Sequence, residues 1–190
     1  MRRLSLVLPA ILALGACAAD APAPSARLPV GVVEGGSDPM RYAVLQSAYV
    51  FNAPGAISPA KKAEAAALLE FVATNWGQDI RWNTPSPGLT AQLAAARDEL
   101  RDALGIAPAA RPQAVVSGLI NAARRLEGDA TGPGLPVDAF PDSRRTLSRL
   151  EALPALPATQ RATQLMEQEF MRQEQERIHQ SIGGGDAGRS

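Results

Sequence analysis

The sequence predicts an all-α protein, a small bundle of about five to six helices. Three observations lead there. Alanine and leucine supply most of the apolar 46% of the chain, while aromatics make up only 4%, and both residues favour helices. β-Branched residues are scattered and never alternate over the length of a strand, so the mark of a half-buried sheet is missing. From Ser37 onward, capping residues and prolines open apolar stretches that glycines close, which is the punctuation of successive helices.

The length of 190 residues suits one domain of ordinary size. Net charge is formally zero, and without Arg2 and Arg3 there are 17 basic side chains against 19 acidic. Such a balance lacks the electrostatic drive for nucleic-acid binding and is not that of a solvated acidic tail. One cysteine and one histidine exclude an internal disulfide framework, a cysteine-rich metal site and a c-type haem attachment motif.

Met1-Arg2-Arg3 precedes Leu4 to Leu14, an apolar run of about 11 residues broken only by Ser5 and Pro9. A membrane span needs roughly 20; the charged-then-apolar layout fits a secretory leader instead. The run closes on Leu14-Gly15-Ala16-Cys17, an aliphatic residue, two small ones and a cysteine. This resembles the lipobox of bacterial lipoproteins. The resemblance implies a signal peptide over residues 1–16 and a lipidated Cys17 at the start of the mature chain. Small residues at 15 and 16 admit the peptide to the signal peptidase, and the thiol takes a diacylglyceryl group. Several acyl chains, at about 0.8 kcal/mol per buried CH₂, hold a protein stably on a bilayer. Ala18, standing where aspartate favours inner-membrane retention, leans the address towards the outer membrane. Arg2-Arg3 is not embedded in a twin-arginine signal.

Residues 17–37 read as the lipidated cysteine and a flexible linker. Pro22, Pro24, Pro29, Gly31, Gly35 and Gly36 leave too little apolar surface to fold alone. Fully extended, this linker reaches at most roughly 60 Å. Leu28 to Val33 belongs either to the tether or against the domain.

The helical domain is placed at 38–182. Ser37 or Asp38 caps a first helix with Pro39 in its first turn, running to about Val50. Ser58 caps a second, with Pro59 first, Gly77 as its stop, and Leu68, Leu69, Val72 and Trp76 at helical spacing. Thr90 opens a third, with Leu93, Ala96, Leu100 and Leu104 on one face and Gly105 at its end. Pro112 opens a fourth, lined by Val116, Leu119, Ile120 and Ala123 and ended by Gly128. Asp142 caps a fifth with Leu147 and Leu150 inward. Pro157 opens the sixth and longest, carrying Leu165, Met166 and Phe170. Proline-bearing connections recur at 52–58, 105–111 and 153–156, which points to three successive αα-hairpins. A bundle is preferred to a helical-repeat solenoid because the period is uneven. The longer connection from Gly128 to Pro141 is expected to set the last hairpin apart. Residues 183–190 read as a disordered tail.

Chemistry is sparse. His179, the only histidine, sits on a mostly polar helix and reads as a solvated surface residue. Met40 and His179 fall at one end of an antiparallel bundle. In that placement they resemble the haem ligands of soluble four-helix b-type cytochromes, in those two residue types alone. Glu64, Glu70 and Asp79 are candidate acids for acid–base work, expected mainly to face solvent. No Glu-x-x-His motif or calcium loop is present. The segment Asn75 to Asn83 places two tryptophans six apart around a polar turn. Trp76, Asp79, Arg81, Trp82 and Asn83 form the candidate binding site: an aromatic platform with hydrogen-bonding groups, or else a plug for the bundle end.

The expected function is that of a membrane-anchored envelope lipoprotein whose helical domain binds or scaffolds without catalysis. Its expected partners are the membrane, through the lipid, and an envelope protein or cell-wall component. No cofactor is expected beyond the lipid on Cys17. The first alternative is an envelope enzyme acting on peptidoglycan or another glycan through carboxylates and the Asp79–Trp82 loop. A small-ligand or haem carrier is the second.

Overall fold

A computed structural model describes residues 24–33, 35, 37–53, 55–78, 86–129 and 131–183. Among them six helices form a bundle and no strand occurs: α1 Pro39–Asn52, α2 Pro59–Asn75, α3 Pro87–Leu104, α4 Pro112–Leu126, α5 Ser143–Glu151 and α6 Pro157–Gly183. The expected signal peptide over residues 1–16, Cys17, Asp79 to Asn83 and residues 184–190 lie outside the described residues.

Five of the six helices open on proline, whose missing N–H is no loss in a first turn. Asp38, Ser58 and Asp142 cap α1, α2 and α5 by accepting from the backbone N–H of Arg41, Lys61 and Arg145. α3 starts earlier than Thr90, at Pro87, with Ser86 before it; a proline outranks a threonine as a starter. It stops at Gly105, where φ is +70° and the Ile106 N–H returns to the Arg101 carbonyl at 2.9 Å. That left-handed closure suits glycine.

The start of α6 is capped by another helix. Glu99 of α3 accepts from the N–H groups of Ala158 and Thr159 at 3.1 and 2.7 Å. A carboxylate there satisfies two orphan donors and meets the positive end of the helix dipole. We expect Glu99→Ala to cost about 1–2 kcal/mol. Urea unfolding checks this, and a midpoint within error of the native protein's would exclude the cap.

α2 is the central helix. Ala60, Ala63, Ala65 to Val72 and Thr74 are all buried, so it shows no single apolar stripe. Its most extensive interface is with α4, which brings Val115, Val116, Leu119, Ile120 and Ala123 to the core. α1 packs on α2 as the first hairpin, and α6 lies against α1 and α3. The pairing inside the bundle corrects the three-hairpin expectation. α3 and α4 hardly touch each other, nor do α5 and α6. α2 is apolar on several faces at once and draws in α4, which leaves α3 to pack on α6.

The Gly128 to Pro141 connection does not set the last two helices apart. Ala139 and Phe140 are fully buried, the Ala139 carbonyl accepts from the Ala107 N–H at 2.9 Å, and the Phe140 ring lies on Gly118 of α4. α5 is tied to α3 as well, through Thr146 Oγ1 donating to the Leu104 carbonyl at 3.0 Å.

Candidate functional site

Residues 24–33, placed in the linker by composition, lie on the domain as a strap that turns at its far end, where the Val32 N–H donates to the Pro29 carbonyl. Asn75, in the last turn of α2, accepts from the Ala26 N–H at 3.3 Å and donates to the Ala26 carbonyl at 3.1 Å. Gln113, in the first turn of α4, does the same for Arg27, at 2.7 and 3.0 Å. Gln78 donates to the Pro24 carbonyl at 3.1 Å. Neighbouring residues of an extended chain point opposite ways, so Ala26 and Arg27 are held by different helices. Ala26 is buried, and Leu28 and Val32 pack against the core. These apolar contacts, with paired backbone groups on both sides, are what the glycine and proline content concealed.

Past a turn at Gly31 (φ +85°), the strap forms the rim of a cavity of about 530 Å³ lined by Val32, Tyr42, Lys61, Glu64, Ile120 and Arg124, among others. The Tyr42 hydroxyl donates to Glu64 Oε1 and Lys61 Nζ to Glu64 Oε2, both at 2.6 Å. Glu64 is therefore engaged through both oxygens, and its side chain is only 17% exposed. A second groove of about 420 Å³ runs between α3 and α6, lined by Leu89, Gln92, Leu165, Glu169 and Arg172. Hydrogen bonding to Arg172 holds the Glu169 carboxyl below the usual carboxylate range.

Glu70 is not the solvated acid expected. It is buried on α2 and meets Arg101 of α3 through two bonds, Nε to Oε2 at 3.0 Å and Nη2 to Oε1 at 2.5 Å. Arg101 Nη1 also donates to the carbonyls of Pro108 and Ala110, at 3.0 and 3.2 Å. The pair holds α2, α3 and the connection to α4 together and faces no cavity described above. A carboxylate inside the all-apolar run Ala65 to Val72 was the sequence signal for it; Arg101 itself carried none.

Of the candidate binding residues, Trp76 is 6% exposed and belongs to the core at the end of α2. Asp79, Arg81, Trp82 and Asn83 lie outside the described residues. His179 is exposed near the end of α6, and Met40 is buried in the core. Among the described residues, no group of three or more His, Cys, Asp or Glu side chains is arranged to hold a metal ion, and no helix is long and apolar enough to cross a membrane. Sequence reasoning missed Asn75, Gln78 and Gln113 as strap-holding residues, because side-chain amides that bind backbone follow no periodic spacing. No protein-family model, curated protein or solved structure matches the chain.

Proposed function

We propose that the chain is an envelope lipoprotein, anchored by lipid on Cys17, whose helical domain binds another envelope component without catalysing a reaction. The observation that carries this reading is the apolar leader closing on Leu14-Gly15-Ala16-Cys17. The layout of the domain agrees with it: the first described residues run directly onto the bundle and are fixed there by Gln78, Asn75 and Gln113. The Asp79–Asn83 segment, which follows Trp76 in the sequence, remains the proposed contact for a partner in the outer membrane or cell wall.

Cys17→Ser tests the anchor. We expect fatty-acid labelling to disappear and the protein to leave the membrane fraction, with the helical content of the domain unchanged. Labelling that persists in the mutant would refute the reading.

A further inference from the structure

We infer that the end of the bundle where α2 stops and α4 begins rests against the lipid surface, held there because the docked strap leaves only a short leash to Cys17. This rests on the proposed lipidation of Cys17, and the experiment below separates the two.

The leash follows from the hydrogen bonds. Pro24 is the first described residue and is held on the domain by Gln78, and six residues, 18–23, separate it from Cys17. Seven Cα steps span at most about 25 Å. The strap runs antiparallel to α2. Ala26 sits at Asn75, while Val32 shares a cavity with Lys61 and Glu64. The chain therefore joins the domain at the C-terminal end of α2, beside Gln113 at the start of α4.

Length then decides orientation. α2 has 17 residues and is about 26 Å long, as long as the leash itself. Turning the far end of α2 to the bilayer would require the whole leash to be stretched along the side of the domain. The nearer the joined end lies to the bilayer, the less of that reach is used and the more conformations the connecting residues can sample. A tether free over all of residues 18–37 would impose no such bias.

The end so presented suits a phosphate-bearing surface. Arg27 is exposed on the strap, and Arg111, just before α4, has a side chain 83% exposed. The nearest acid to Arg111 is Asp138, at 3.9 Å and itself 60% exposed, a pairing that solvent screens heavily. Both guanidinium groups are available to lipid phosphates, whose attraction adds to that of the acyl chains.

The test uses the full chain, purified from membranes after expression with its own leader. It is reconstituted into vesicles of phosphatidylethanolamine and phosphatidylglycerol that carry a nickel-chelating headgroup lipid. Spin labels are placed one at a time through Ala109→Cys, just before α4, and Ala56→Cys, before α2; both positions are exposed. We expect nickel to relax the label at 109 several-fold more than the label at 56. Two variants remove the bias: Asn75→Ala with Gln78→Ala and Gln113→Ala, which frees the strap, and a long glycine–serine insertion after Ala18, which leaves every described contact in place. The insertion keeps the test valid should the triple variant fold poorly. Equal relaxation at both labels in the native chain, or a bias that survives the insertion, overturns the inference. A protein that does not float with the vesicles at all overturns the lipid anchor instead.

Discussion

Replacing Arg101 with alanine is expected to lower stability by about 3–5 kcal/mol, the usual result of stripping one partner from a buried ion pair. Glu70 would be left in the core with no cation, and the carbonyls of Pro108 and Ala110 would lose their donor. That is a large share of the roughly 5–15 kcal/mol that holds a domain of this kind together. Urea unfolding followed by circular dichroism reads the shift in midpoint. The double variant Glu70→Leu with Arg101→Met separates charge from packing. It removes both ions together and is expected to recover most of the loss, since apolar replacements of buried pairs are often neutral or better. Should the single variant melt like the native protein, the pair must be open to water.

Gly118→Ala is the second large effect, and its sign should depend on Phe140. A β-carbon at position 118 would stand 2.2 Å from Cε2 of the Phe140 ring, and the ring is fully buried, so one of the two must shift. We expect a loss of at least about 1–3 kcal/mol from overpacking. Phe140→Ala alone should cost about 3–5 kcal/mol. Combined with Phe140→Ala, however, Gly118→Ala is expected to stabilise by about 0.5–1 kcal/mol, because alanine is the better helix former once the ring is gone. A double-mutant cycle measures this reversal directly. Additive effects would mean that the ring and the helix do not touch in solution.

These two sites also show where sequence reading succeeds and where it stops. Helix starts were legible because proline and a capping residue act locally: Asp38, Ser58 and Asp142 cap where expected. Which helices pair was not, since α2 is buried on nearly every side and periodicity cannot say which neighbour covers which face. Glu70 looked like one acid among several, although the apolar residues on both sides of it already implied burial. Phe140 was hidden in a stretch of glycine and proline that read as a spacer. The strap was hidden in the same way, because its partners Asn75 and Gln113 are polar residues that nothing in their spacing marks. Of the candidate site, the proposed lipidation motif and the segment with two tryptophans are compact local signals in the sequence. The cavity around Tyr42, Lys61 and Glu64 is made by four separate segments, the strap, α1, α2 and α4, and has no signature in any one of them.

The strap also determines how tension on an anchored Cys17 would travel. A pull from that side would act along the strap, and the Gln78–Pro24 bond, the Asn75 pair and the Gln113 pair would share the load. All three would have to give before strain reached α1, whose capped start at Asp38 lies beyond the last of them in the chain.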